Sequence, residues 1–507
     1  MIGFLLAIGF YLGAGILVSI LGRRGFLTSM AAWVGATGGV IFAAIEYRTD
    51  GVQVSGLAGW PLKGIEVQLD EPALLLATLI LVLNLCTLLY VYTREETFFY
   101  AIYNYLLGTG LALGISHDLF SIYILMELLS LVSILMIGYS KKTYQIWAGV
   151  KYLLLSSLSM SIYLVGMAII YHSGGSLSIS VLQNLFHSSQ SKPVLVGVSL
   201  MIVGLAVKSG IFLFSMWLPD AHAYSATVVS ALLSGMAIKG GIIGILRVSS
   251  LADIDVVLLF LGSLTGVLGV LYAVLAKRPK KILAFHTMSQ VGYILIGMGA
   301  GTALGLAGAT LHLLFHGLFK GLLFLAVGSA GTGGRTVYEL QDMKISIGTK
   351  VGLAVASLSI MAIPPFDGFY SKDLCLMAAP SPWIAGILIL IGIGTVISFT
   401  KLSWFFLTAN TGSLDHHSGA ILTLSVLVLA SGPVVVWSLS GVELMSLLKL
   451  SHVMESLIIF AVGIVGYVGL RHIIGKVTLP SFPFEVENAT ISIYLGFLVL
   501  TLLLTVL

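Results

Sequence analysis

The sequence predicts an all-α polytopic membrane protein with about 14 to 16 transmembrane helices. Three observations lead to that class. Of the 507 residues, 58% are hydrophobic and only 9% are charged, against about 25% charged in a typical soluble domain. The mean hydropathy of +1.07 is spread along the whole chain, so no stretch is hydrophilic enough for a soluble catalytic domain, although the length alone would suit roughly three. Apolar runs of about 18 to 26 residues recur between short polar breaks, each long enough to cross the hydrocarbon layer as a helix. They are continuously apolar rather than alternating, which excludes a transmembrane barrel.

In chain order the predicted spans are 1–21, 26–47, 71–92, 98–115, 117–138, 146–172, 194–216, 222–247, 256–276, 282–299, 302–328, 349–378, 383–408, 418–440, 455–474 and 489–507. The first, MIGFLLAIGFYLGAGILVSIL, lacks the basic n-region of a signal peptide and reads as a retained helix. The longest breaks, 48–70 and 173–193, are too short for an extramembrane domain. Basic residues follow spans 1, 5 and 9 (Arg23/Arg24, Lys141/Lys142 and Lys277/Arg278/Lys280/Lys281), whereas Asp118 and Asp253/Asp255 follow spans 4 and 8. Positive loops stay inside, so the chain is expected in the cytoplasmic membrane with its N-terminus outside.

The net charge of +4 and pI near 8.8 arise in these short loops, not on a basic face, and give no reason to expect nucleic acid. Cys86 and Cys375 lie far apart in apolar runs, so no zinc or iron–sulfur ligand set is expected in this chain. Any redox cofactor would belong to a partner.

Ionisable residues inside the apolar spans carry the functional information. A charge at mid-bilayer costs about 2.5 to 3.5 kcal/mol even on a lenient scale. Glu127 sits ten residues into DLFSIYILMELLSLVSILMIGY, about 15 Å deep at the helical rise. It is either a protonated structural glutamate or a carboxylate paired with a lysine of another helix, and ion pathways favour the second. Lys208, in VSLMIVGLAVKSGIFLFSMWLPD, is too deep to snorkel comfortably. Gly204, Gly210 and Pro219 invite a break in that span. Lys239 lies among Gly235, Gly240 and Gly241, while Arg247 is near enough to the membrane surface to snorkel.

In GATLHLLFHGLFKGLLFLAVG, His312, His316 and Lys320 recur every four residues and share one helix face. Two histidines so spaced can also ligate a metal, but the motif offers no third ligand. A hydrated, proton-carrying stripe is the stronger expectation. In LSIMAIPPFDGFYSKDLCLM, Pro364 and Pro365 break the twelfth span and Lys372 with Asp373 follows. Two broken helices, each with a lysine, point to inverted repeats: 98–247 (helices 4–8) and 248–408 (helices 9–13), after helices 1–3 in 1–97 and before further helices in 409–507. His286 and Lys401 are evenly balanced between ion pathway and ordinary structural roles.

The ordered strings LFSIYILMELLSLVS, VKSGIFLFSMWLPDAH, SALLSGMAIKGGIIGILR, KKILAFHTMSQVGYILIG, LHLLFHGLFKGLLF and IPPFDGFYSKD resemble the antiporter-like subunits shared by respiratory complex I, Mrp sodium/proton antiporters and membrane-bound group 4 hydrogenases. The resemblance runs from about residue 66 to 435. It implies two inverted five-helix repeats with broken helices 7 and 12 and a proton half-channel in each. Residue by residue, it implies that Glu127 and Lys208 control each other's protonation, that Lys239 connects, that His312, His316 and Lys320 form the central relay, and that Lys372 is the lysine of the broken helix 12. Asp118, His222, His286, Asp373 and Lys401 are weaker members of the set.

The resemblance also shows departures. Where the family has PxHxWLPDAH and APxPVSALLSG, this chain has Leu213, Ser215, Ser225, Ala226 and Val228, and Asp367 stands where a small residue is common. Residues 451–507 extend past the last helix of the shorter members, but 475–488 are too few for the long lateral helix of the largest. The AFHT wording and these features of the tail lean toward a hydrogenase-like or sulfur-reductase-like complex. The implied function is proton or sodium translocation in a redox-driven complex, with other antiporter-like and small membrane subunits, a peripheral redox arm and lipid as partners. Iron–sulfur clusters and nickel–iron would belong to those partners. A secondary Mrp-type exchanger and a structural subunit with a decayed channel are the alternatives.

Overall fold

The computed structural model describes the chain except residues 23, 58–64, 93–94, 187–190, 213, 216, 440–448 and 478–507. Arg23, Leu213, the span expected at 489–507 and most of 475–488 therefore lie outside the described residues. The described chain is overwhelmingly helical, as lipid requires when each backbone N–H and C=O must be satisfied within its own segment. Thirteen of the described helices are long and apolar enough to cross a membrane.

The helices pack as two compact units. The first comprises Met1–Trp217 and Met236–Val257. It holds α1 (Ile2–Leu21), α2 (Gly25–Asp50), α3 (Glu71–Val91), α4 (Thr97–Ile115), α5 (Leu119–Ile137), α6 (Thr143–Gly174), α7 (Ile179–Phe186) and α8 (Lys192–Ser209). The second comprises Leu218–Gly235 and the described residues from Leu258 onward. It begins with α9 (Leu218–Tyr224). The next helix, α10 (Thr227–Ser249), belongs to the second unit in its first part and to the first unit from Met236. α11 (Asp255–Leu275) enters the second unit at Leu258, and that unit continues with α12 (Pro279–Gly299), α13 (Ala303–Ser329), α14 (Ile347–Ile360), α15 (Asp367–Met377), α16 (Pro382–Thr408), α17 (Ser418–Leu439) and α18 (Leu450–Lys476).

Local chemistry sets several helix starts. Asp70, Asp118, Thr302 and Ser346 each accept a backbone N–H three residues on, at 3.1, 2.8, 3.1 and 3.2 Å, satisfying one of the donors that an N-terminus leaves orphaned. α8 stops at Gly210 in the left-handed region, φ 81°. The single apolar run expected at 349–378 is two shorter helices, α14 and α15, separated by the Pro364–Pro365 segment.

Two loops hold more than the sequence suggests. The break 48–70 contains an antiparallel pair, β1 (Gln53–Leu57) with β2 (Ile65–Leu69), and 173–193 contains α7. Both dock on the turn between α4 and α5, through bridges Val67 to Ser116 and Asp118 to Ser178. A parallel pair, β3 (Lys344–Ser346) with β4 (Asn410–Gly412), ties the start of α14 to the end of α16. In the second unit α12 and α13 are buried almost throughout, whereas α18 exposes most of its surface.

Candidate functional site

In the first unit α5 and α8 bring two of the predicted residues together. Glu127 Oε1 lies 3.4 Å from Lys208 Nζ. The ammonium also donates to Ser130 Oγ of α5 and Ser156 Oγ of α6. Those hydroxyls replace part of the water shell that a buried ammonium loses. Tyr152 of α6 lays its ring 5.9 Å from Nζ and passes its hydroxyl to Ser130 at 3.4 Å.

The span that carries Lys208 ends just beyond it, and the freed carbonyls are recovered locally. Ser215 Oγ donates to the carbonyls of Ala206 and Val207 at 3.1 and 3.0 Å, and Trp217 Nε1 donates to Val207 at 2.8 Å. Trp217 stacks on Tyr152 with centroids 3.9 Å apart, so the break and the lysine's surroundings form one packed block. Ser215, a departure at the sequence level, thus performs a defined task. Gly241 of α10 is required here: a Cβ would lie 2.5 Å from Ser209 Oγ and 3.0 Å from Ser209 N. Lys239, two residues earlier, is wholly buried and follows a π-helical turn, Leu233–Ala237, a feature common at functional sites.

In the second unit the break between α14 and α15 positions Lys372. Its Nζ donates to the carbonyl of Ile360 at 2.6 Å, the last residue of α14, and stands 4.7 Å over the Tyr293 ring. Asp367 brackets the break. Its Oδ1 accepts from Ser359 Oγ and from the Gly368 N–H at 2.8 Å, and its Oδ2 accepts from Ser431 of α17 at 3.2 Å. Gly368 is obligatory, since a Cβ would fall 2.0 Å from the Ser359 carbonyl oxygen.

The predicted stripe on α13 reaches the residue before this lysine. His312 Nδ1 bonds Ser371 Oγ at 2.9 Å, one residue before Lys372, and its ring lies 5.6 Å from Tyr293. His316 stacks parallel to His312 at 6.0 Å. Lys320 Nζ donates to the Leu283 carbonyl of α12 at 2.7 Å. All three are wholly buried. Among the described residues no group of three His, Cys, Asp or Glu side chains is placed to hold a metal ion.

The weaker members divide. His286 bonds Ser398 of α16 through Nε2. Lys401 caps α11, donating to the carbonyls of Ala273, Val274 and Ala276 at 3.4, 2.5 and 2.6 Å, a structural arrangement for a buried lysine. His222 is buried and stacks on Phe324, 5.0 Å away. Asp118 is buried at the start of α5 rather than displayed in a loop. Asp373 pairs with His452 of α18 at 3.1 Å.

Sequence reasoning missed two clusters. Arg247 does not snorkel: it is buried and forks onto Asp70, with Nη2 3.0 Å from Oδ1 and Nη1 on Oδ2, and reaches the Gly114 carbonyl at 3.3 Å. Nearby, Glu66 accepts from Ser178 and Ser180. His117, in the turn between α4 and α5, has its pKa lowered to about 4 by burial, with the Arg247 charge adding and Asp70 opposing. Burial raises Asp118 against the hydrogen bonds from Ser121. The other cluster is Asp373 with His452 and Glu455. In both, the partners come from distant segments, and no spacing in the sequence signals them.

These arrangements suit proton handling. Buried ammonium groups held by hydroxyls, carbonyls and one carboxylate can change protonation when the carboxylate moves.

Residues 116–400, more than half of the chain, match the family described as "NADH:quinone oxidoreductase/Mrp antiporter, TM". The chain is 28% identical over 396 residues to the D-type subunit of the Na(+)/H(+) antiporter of Alkalihalophilus pseudofirmus, covering 74% of this chain and 80% of that one. It is 30% identical over 403 residues to the N-type subunit of the NADH-quinone oxidoreductase of Desulforudis audaxviator, covering 76% and 79%. In fold it is similar to a chain of the membrane-bound sulfane sulfur reductase, an archaeal respiratory membrane complex, with a TM-score of 0.78 at 22% identity over 92% of this chain and 99% of that one.

Proposed function

The chain belongs to the NADH:quinone oxidoreductase/Mrp antiporter transmembrane family, and on that premise we propose that it translocates protons as an antiporter-like subunit of a redox-driven membrane complex. The observation that carries the proposal is the Glu127–Lys208 contact of 3.4 Å within apolar helices. Lys208 takes up and releases a proton, and Glu127 tunes it by approach and withdrawal. Lys372 does the same at the second break, and Lys239 with His312, His316 and Lys320 passes charge along the membrane plane. Each of the repeats 98–247 and 248–408 would hold one half-channel. The membrane is the cytoplasmic one, with the N-terminus outside. Energy enters from partner subunits that hold the iron–sulfur and nickel–iron groups, since the side chains described above handle protons rather than electrons.

The test is proton translocation in membrane vesicles containing the whole complex. Lys208→Ala and Lys372→Ala should each abolish most coupled transport with assembly intact. Wild-type pumping in the double variant would reduce the chain to a structural subunit.

The similarity to one subunit of a sodium/proton antiporter favours a second reading, a secondary exchanger with no redox input. Mass spectrometry of the intact complex purified through a tag on this chain separates the two. Co-purifying iron–sulfur or nickel–iron subunits support the redox-driven pump; hydrophobic antiporter subunits alone support the exchanger.

A further inference from the structure

Beside Lys372 the second unit contains a cavity of about 50 Å³. Its polar lining comes from Lys372 and Asp373 of α15 and from His452, Glu455 and Ser456 of α18. α18 is the mostly exposed helix near the end of the described chain, and it closes over the break: Ser456 Oγ donates to the carbonyl of Ala362 at 2.5 Å, within the segment between α14 and α15. A water needs about 10 to 15 Å³ of such cavity space and two to four polar partners. The cavity has both the room and the partners.

The carboxylate of Asp373 is the second, independent sign of an occupant. It is 7% exposed. Its Oδ1 meets His452 Nδ1 at 3.1 Å, while its Oδ2 is buried with no hydrogen-bond partner among the described residues. A buried carboxylate oxygen left bare carries an uncompensated desolvation cost, and a bound water removes that cost. A metal cation fits less well, because the Lys372 ammonium lines the same small space and repels it.

Exposure is also graded: the His452 side chain is 20% exposed and that of Asp373 6%. His452 is therefore the more open member of the couple and Asp373 the more enclosed.

We propose that this cavity is a hydrated proton-exchange site serving Lys372, in which the Asp373–His452 couple takes up and releases the proton through bound water. The inference rests on the reading of Lys372 as a translocating lysine. In the outward step an N–H bond of the Lys372 ammonium breaks as an O–H bond forms on the bound water. That water passes a proton to Asp373, and the carboxyl passes it to His452 Nδ1. The imidazolium then loses its Nε2 proton at the open side. No electron moves, and the reverse sequence recharges the lysine. Glu455 lies on the same helix, one turn from His452.

The test uses membrane vesicles holding the full chain with its native partners, energised as for the wild type, and follows proton translocation with a pH-sensitive dye. Asp373→Asn and His452→Ala are each expected to slow translocation about tenfold. Imidazole added to the His452→Ala vesicles restores the rate in a saturable manner. Asp373→Glu keeps at least half of the wild-type rate and covers the case in which Asp373→Asn does not assemble. Slowing without rescue by imidazole makes His452 a structural residue and overturns the proposal. Wild-type rates in both Asp373→Asn and His452→Ala overturn it as well. The control is Lys372→Ala: if it blocks transport while those variants do not, the exchange site falls and the function of the lysine stands. Wild-type transport in Lys372→Ala removes the function itself.

Discussion

Glu127 and Lys208 touch at 3.4 Å yet are unequally hidden, with the lysine side chain 1% exposed and the glutamate 35%. The ammonium is locked by Ser130 and Ser156 as well, whereas the carboxylate, midway along α5 on its more open face, is the freer partner. Motion of the carboxylate is thus the cheaper way to change the field at the lysine. Glu127→Gln keeps the shape and removes the charge. It is expected to cut coupled ion translocation in vesicles at least tenfold while the complex still assembles on native gels. Pumping at the wild-type rate with glutamine there would remove this role.

The Arg247–Asp70 fork is a buried pair joining α10 to the start of α3. Removing one member of such a pair costs about 3 to 5 kcal/mol, because the other charge is left buried alone, whereas replacing both with apolar residues is often neutral. Asp70→Leu is therefore expected to lower the thermal midpoint of the detergent-solubilised protein more than the double variant Asp70→Leu Arg247→Met. A double variant no more stable than the single one would show that the two charges are not coupled.

Gly368 tests the bracket around the second break. Its missing Cβ would stand 2.0 Å from a backbone oxygen of α14, which cannot swing aside as a side-chain end can. Gly368→Ala should destabilise by about 1 to 3 kcal/mol, the usual cost of overpacking. Gly386 on α16 has nothing within 4 Å of the same position. Gly386→Ala should therefore be neutral or stabilising by up to about 1 kcal/mol. Thermal midpoints of the two variants, compared with the wild type, give the answer directly.

His117 makes stability depend on pH. Its pKa falls from the ordinary 6.5 to about 4, so between those values the unfolded chain binds a proton that the folded chain does not. Stability is unaffected above pH 6.5, declines as pH falls through that window and levels off below about pH 4. The full loss is on the order of 3 kcal/mol. Asp118, shifted upward, works in the opposite sense at acid pH, so the histidine is isolated by difference. His117→Gln should flatten the decline in thermal midpoint between pH 6.5 and 4. An unchanged slope would show that His117 is not the group responsible.

The membrane helices, and the buried charges that stand out among them, were legible in the sequence. A run of some twenty apolar side chains is a local property, and lipid leaves it no other regular structure. Glu127, Lys208, Lys239 and Lys372 were legible for the same reason, since a charge inside such a run is anomalous wherever the chain goes next. Which of these residues meet, and through whom, was decided by tertiary structure alone. Arg247 finds Asp70 across 177 positions, and His452 finds Asp373 across 79. Ser215 reads as a lost histidine until its hydroxyl is seen on the carbonyls of Ala206 and Val207. Lys401, evenly balanced in the sequence between a pathway and a structural role, is seen on the carbonyls at the end of α11 only in the fold. Lipid-facing and helix-facing positions select similar apolar side chains, so sequence carries little record of which helix lies beside which. Only the packing of the helices brings a distant carboxylate, hydroxyl or carbonyl within reach of a buried charge.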